Sequence, residues 1–492
     1  MTQQPSAVSY LFGPFRLDTG ERRLVRASER LGLSERHLEI LSLLVSQAGQ
    51  TIPKEVLIDA AWKDVAVGDN SVEQAISSLR RVLGPMADGG PYIETVPRRG
   101  YRFCAPVSRA VARQSDSALD ALLEPHLAFV EGRAAVETLA RDQVDRARDA
   151  FARVVSASPD YAPGHVGLAN ALIMAFEASR ASDTPDVPAV IEAGEHAREA
   201  CRLDPRSGEA WATLAFVLSR SGVAGDAVAA ARHATQLEPD NWRHHVRLSY
   251  VGWGEQRLRS AYRALQLLPG LGMAHWLAAS VYVARQAFGE AEKELVAGTA
   301  AQDRQEAGAR FGIVGLHLLL GLVHLVGGDA EAAESHFARE LTFESAGHVY
   351  SREAVANAWC ARGALALRAG DTSAAAHAFS QAVQGLPGHI SSLAALSAMG
   401  GREDGDLVRP TLQSRIQRLK VLGAHVESAV VESIEDALAG RHVEAGQRVH
   451  AALLAAPPSS AGWTLPVEPL LNPTAHPVEW SRALATLRTR SG

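Results

Sequence analysis

Two triplets, Leu203-Asp204-Pro205 and Leu237-Glu238-Pro239, stand 34 residues apart. A repeat at this period constrains the fold more than any other feature of the chain. It implies stacked units, each able to bury its apolar face only against a neighbour. Between the triplets Trp211, Leu214, Ala215, Ala227, Ala231 and Ala234 fall at helical spacing, and Pro239 ends the second helix of the pair. The small side chains predict two helices in close approach.

The pattern extends both ways. Ala147, Phe151 and Val154 run to Pro159; Leu168, Ala169 and Leu172, then Ala193, Ala197 and Ala200, run to Pro205. That second unit is 46 residues long, and the surplus is assigned to a loop inserted at Ser179–Pro188. Leu248, Ala261 and Leu265 precede Pro269, and Trp276–Leu295 supplies a further hairpin. Leu320, Gly321, Ala333 and Phe337 fit again, and Trp359, Gly363, Ala375, Phe379, Ala382 and Pro387 form the cleanest later copy. Weak copies fall at Ile390–Ala398 and Ala437–Pro457, giving seven to nine units. The array resembles tetratricopeptide-repeat (TPR) proteins. The resemblance implies an α-solenoid over residues 118–400, with degenerate repeats and a C-terminal cap over 401–492. The Pro-rich strap Pro466–Pro473 and a helix from Trp480 to Leu487 would form that cap. A concave face for a protein or peptide partner is expected, with Asn170, His244, His245 and Asn357 as candidate lining residues and homo-oligomerisation as the alternative. Trp211, Trp276 and Trp359 are expected to pack.

The N-terminal hundred residues follow another pattern. Tyr10–Asp18 is strand-like and broken by Gly13 and Pro14, and Arg23–Arg26 is a second short strand. Ser34 precedes a helix over Glu35–Val45. Thr51 or Ile52 lies near the start of a second helix, with Pro53 in its first turn and Trp62 at its end. After a polar loop at Lys63–Asn70, a third helix spans Ser71–Leu83, burying Val72, Ile76, Leu79 and Leu83. Tyr92–Val96 and Tyr101–Phe103 make a hairpin around Pro97–Gly100. This order predicts a small α+β winged helix over residues 8–107, followed by a polar linker at 108–117; the fold class is mainly α.

The third helix turns Ser71, Gln74, Ser77, Ser78, Arg80 and Arg81 away from its apolar stripe. Such side chains read base edges or grip phosphates in a major groove. Arg98 and Arg99 occupy the hairpin tip, with Tyr101 beside them. Leu79-Arg80-Arg81 together with Tyr92–Phe103 resembles the effector domain of OmpR/PhoB-type response regulators, and resembles ToxR- and CadC-like one-component regulators more closely still. The resemblance implies binding of double-stranded DNA through Ser71, Gln74, Ser77, Ser78, Arg80, Arg81, Arg98, Arg99 and Tyr101. Many family members carry Val-His-Ile where this chain has Gln74-Ala75-Ile76. The docking mode carries over, and the preferred base sequence does not. Seven residues precede Val8, too few for a receiver domain, so aspartyl phosphorylation is not the expected switch.

Net charge is −6, yet residues 1–113 hold 15 Lys and Arg against 12 Asp and Glu, while the remainder holds 34 against 43. A basic reader joined to an acidic array is expected. Cys104, Cys201 and Cys360 follow no metal spacing and read as reduced thiols. No phosphate-cradling loop, dinucleotide glycine motif, nucleophile elbow or zinc pattern occurs, so no enzymatic activity, cofactor or metal is expected. The start of the chain lacks the apolar core of a signal peptide, and the longest apolar run, Ile313–Val326, is too short to span a bilayer. A cytoplasmic protein without membrane contact is expected. The leading reading is a one-component DNA-binding regulator whose array senses a signal or binds a partner. The alternative is a TPR adaptor whose winged helix contacts protein.

Overall fold

The architecture was analysed in a computed structural model, which describes residues 8–19, 22–26, 29–62, 70–86, 89–111, 117–182, 184–305, 310–400 and 402–492. Two compact units meet at Glu124/Pro125.

In the first unit, strands β1 (Val8–Phe12), β2 (Phe15–Asp18), β3 (Arg23–Arg26) and β4 (Glu29–Leu31) follow one another as an antiparallel sheet. Gly13 makes the first turn at φ 50°, and a Cβ there would lie 2.2 Å from the Tyr92 hydroxyl. Ser34 caps α1 (Glu35–Ser46) by accepting the His37 amide. Thr51–Ile52 forms a short strand, β5, rather than a cap; Pro53 occupies the cap of α2 (Lys54–Ala61) without a side-chain bond. The reason lies in the partner strand: Thr51 and Ile52 stand in antiparallel register with Arg102 and Tyr101 of the following hairpin. Helix α3 (Asn70–Leu83) is followed by β6 (Ile93–Val96) and β7 (Gly100–Phe103), the hairpin of a three-stranded sheet ordered β5-β7-β6. The loop expected at Lys63–Asn70 lies outside the described residues up to 69.

The expected linker at 108–117 is corrected. Ser108–Val111 is a strand, β8, that pairs antiparallel with β1 and satisfies its otherwise open edge. Residues 112–116 lie outside the described set, and a helix starts at Ser117. Beneath the sheets the rings of Phe12, Phe15, Tyr92 and Phe103 pack with centroids 5.0–6.1 Å apart, alongside Ile40, Leu41, Leu44 and Leu79.

The second unit is helical throughout. Helices α4 (Ser117–Glu137) and α5 (Val144–Ala157), α6 (Ala162–Ser179) and α7 (Val187–Leu203), α8 (Gly208–Arg220) and α9 (Ala224–Leu237), and α10 (Trp242–Val251) and α11 (Glu255–Leu267) pair as antiparallel hairpins. So do α12 (Gly272–Ala284) with α13 (Phe288–Arg304), α14 (Leu316–Val326) with α15 (Ala330–Leu341), α16 (Ser351–Arg368) with α17 (Thr372–Gly385), α18 (Ile390–Met399) with α19 (Arg402–Val421), and α20 (His425–Leu438) with α21 (His442–Ala455). The 34-residue period is visible in the ends of α7 and α9, at Leu203 and Leu237. The loop expected at Ser179–Pro188 is corrected: most of the surplus lengthens the helices, α6 and α7 having 18 and 17 residues against 13 and 14 in α8 and α9, and only residues 180–186 connect them. The last helix, α22 (Pro477–Arg490), lies against α21, with Trp480 fully buried. The apolar run at Ile313–Val326 becomes helix only from Leu316, because Gly315 holds φ at 91°.

Small-to-large contacts hold the hairpins together. A Cβ on Gly321 would sit 2.6 Å from the Phe337 ring, and one on Gly363 2.4 Å from the Phe379 ring. Each glycine lets the partner helix seat an aromatic ring against bare backbone. The array also bonds across long sequence distances. Phe311 donates its amide to the Glu137 carbonyl at 2.8 Å, and Val349 donates to Leu139 at 2.9 Å. The connector between α4 and α5 therefore touches the chain about α14 and α16.

Candidate nucleic-acid interface

At about 100° per residue, α3 puts Val72, Ala75, Ile76, Leu79 and Leu83 on one side, and all five are buried. The opposite side carries Gln74, Ser77 and Arg81, all exposed, flanked by the half-buried Ser71 and Ser78. The five expected contacts therefore share one outward face. Glu73 is drawn off that face by Lys54 of α2, 2.7 Å away.

Arg80 has a different task from the one expected. Its Nε donates to the Ile93 carbonyl at 2.9 Å and its Nη2 to the Thr95 hydroxyl at 2.8 Å. It braces α3 against β6, and as a groove contact it is replaced by a positioning role. Tyr101 is also corrected. It is 4% exposed and packed in the core under the hairpin, because it lies two residues from the buried Phe103 on the same face of β7.

The hairpin tip is built by local backbone chemistry. The Arg99 amide bonds the Val96 carbonyl at 3.0 Å. Arg98 takes φ 63° and Gly100 φ 129°. A Cβ at Gly100 would lie 2.0 Å from the Ile52 carbonyl oxygen, so the pairing of β5 with β7 requires glycine there. The turn leaves Arg98 and Arg99 exposed. Below them Glu94 and Arg102 stand directly opposite across the hairpin, 2.6 Å apart. The guanidinium holds the Glu94 carboxyl below its usual range, and the carboxylate raises Arg102 in turn. This pair was not anticipated, although a turn centred on Arg98 already sets residues 94 and 102 opposite one another. Geometry thus assembles a polar helix face and a cationic hairpin tip, with Arg80 fixing one against the other.

In the array, His244 is buried, with its Nε2 3.0 Å from Glu238 Oε2, so it is a packing residue and not part of a concave lining. His245 bonds the Pro239 carbonyl at 2.8 Å. Asn170 bonds Thr213 at 2.9 Å, and only Asn357 of the four is exposed. Among the described residues no helix is long and apolar enough to cross a membrane.

The family and the relatives named below match the first unit. The chain is 32% identical over 98 residues to the transcriptional regulator HilA of Salmonella typhimurium, covering 20% of this chain and 17% of HilA. It is 38% identical over 96 residues to the cholera toxin transcriptional activator of Vibrio cholerae, covering 18% of this chain and 32% of that one. The matches therefore span less than a third of either relative. The solved DNA-binding domain of E. coli CadC is 31% identical, with 22% of this chain and 98% of that one covered, at a TM-score of 0.19. Residues 28–103 match the family described as "Transcriptional regulatory protein, C terminal".

Proposed function

We propose that the protein is a one-component, sequence-specific regulator that binds double-stranded DNA through its N-terminal unit. The observation that carries this reading is the joint geometry of α3 and the hairpin. Gln74, Ser77 and Arg81 form a hydrogen-bonding face of groove-reading type, and Arg98 and Arg99 stand exposed on a turn that Gly100 makes possible. Helix α3 enters the major groove, Ser71 and Ser78 bond phosphates at its margins, and the tip grips the backbone or a narrow minor groove. The named activities of the relatives support the same reading. The helical unit, read as TPR hairpins, is the input half and receives a signal or partner. Genome-wide capture of DNA by the full-length protein tests the proposal. Enrichment at discrete promoter sites supports it. Protein partners without DNA enrichment would instead support an adaptor whose winged helix contacts protein.

A further inference from the structure

The helical unit encloses a cavity of ≈ 280 Å³, at the small end of the range for ligand sites. Its walls come from α10, α12, α14 and α16, the end of α6, and the strap at 463–469. Helices α10, α12, α14 and α16 are successive first helices of the hairpins and touch as neighbours, and the strap closes over α12 and α14.

One wall is apolar and aromatic. Met273, Trp276, Leu318, Leu322 and Trp463 line it, and the two indoles meet edge to face at 5.3 Å. The polar groups lie elsewhere and are not equivalent. Arg180 is already matched: it bonds Glu353 and lies 3.4 Å from Glu177. An anionic head group would find that guanidinium occupied by two carboxylates.

Glu468 is the opposite case. Among the described residues no side chain donates to it, and its Oε1 accepts only the Leu470 amide, at 3.3 Å. The nearby Arg368 turns its Nη2 to the Pro469 carbonyl, 3.0 Å away. Burial pushes the Glu468 carboxyl up to about 7 despite Arg368. The carboxylate beside the aromatic walls has a backbone donor but no side-chain donor, and a protonated amine would supply both a further hydrogen bond and a charge attracted to indole faces.

We propose that this cavity binds a small amphipathic organic cation, its ammonium group on Glu468 and its apolar body against Trp276 and Trp463. This deepens the reading of the helical unit as the input half and rests on it.

Calorimetric titration of the full-length protein, without DNA, tests the proposal with hexylamine, hexanol and hexanoate at pH 7. Hexylamine is expected to bind about tenfold or more tightly than hexanol, with hexanoate weakest. Glu468→Gln should remove the preference for amine and leave hexanol unchanged. A second measurement needs no variant. Because the ammonium favours the ionised carboxylate, binding should release protons, seen as a dependence of the heat on buffer ionisation enthalpy. Equal affinities, tightest binding of hexanoate, no binding of hexylamine at millimolar concentration, or no proton release would overturn the proposal. Since DNA is absent, these failures leave the DNA-binding reading untouched, and failure of DNA capture leaves amine binding measurable.

Discussion

Arg80 on α3 donates from Nη2 to the Thr95 hydroxyl at 2.8 Å while its Nε holds the Ile93 carbonyl at 2.9 Å. Two bonds from one planar fork set the angle between the groove helix and the hairpin. Arg80→Ala is expected to lower the stability of the N-terminal unit by about 1–2 kcal/mol and to weaken duplex binding. Arg80→Lys keeps the charge without the fork and should behave like the alanine variant. Urea unfolding and fluorescence anisotropy on a captured promoter duplex measure both effects. Full binding by the lysine variant would show that charge alone matters at this position.

The hairpin turn should tolerate no side chain at Gly100. Its φ of 129° and the 2.0 Å approach of a Cβ to the Ile52 carbonyl oxygen both oppose substitution. The obstacle is backbone, so rotamer changes give no relief. Gly100→Ala is expected to cost more than about 2 kcal/mol, read as a lower midpoint in the unfolding of the first unit. An unchanged midpoint would contradict the described pairing of β5 with β7.

On the groove face the effects should divide by residue. Gln74→Ala and Arg81→Ala are expected to relax base preference, costing about 1–3 kcal/mol on the best site and little on random DNA. Ser71→Ala and Ser78→Ala should weaken all duplexes alike. Binding to a randomised duplex library, sequenced before and after selection, separates the two patterns. Unaltered preferences in both Gln74→Ala and Arg81→Ala would remove α3 as the reading element.

His389 links the pH response to the helical unit. It is buried, with Nε2 3.1 Å from Asn357 Oδ1 and Nδ1 2.9 Å from Ser392 Oγ. Burial pushes it down to about 4, whereas an unfolded histidine titrates near about 6.5. The unfolded chain thus takes up the proton first, and stability is lost as pH falls from about 6.5 towards 4. In His389→Gln that loss is absent, so its stability deficit against the parent should shrink between pH 7.5 and pH 5. A constant deficit in paired unfolding curves would contradict the buried neutral state.

How far the chain could be read in advance depended on the kind of contact. The helices announce themselves by spacing, and Gly363 with Phe379 is legible because a ring on one helix needs a bare backbone on the other. The outward face of α3 follows from periodicity alone. Arg80 misled because its bonding partners, Ile93 and Thr95, lie on the hairpin, and periodicity cannot show where a long side chain turns. Tyr101 misled because its inward direction depends on strand register. The strand at Ser108–Val111 stayed hidden because its cause is the open edge of β1, about a hundred residues earlier. Glu468, within what reads only as a Pro-rich strap, acquires its surroundings from α16 and the helices around it.

The most direct test of DNA binding through the helix and hairpin is the salt dependence of affinity for a captured promoter duplex, in the parent and in the Arg98→Ala/Arg99→Ala double variant. The parent should lose affinity steeply as salt rises, and the variant's slope should be shallower by about two, one for each lost phosphate contact. Identical slopes, or a parent that binds no duplex at low salt, would contradict the account.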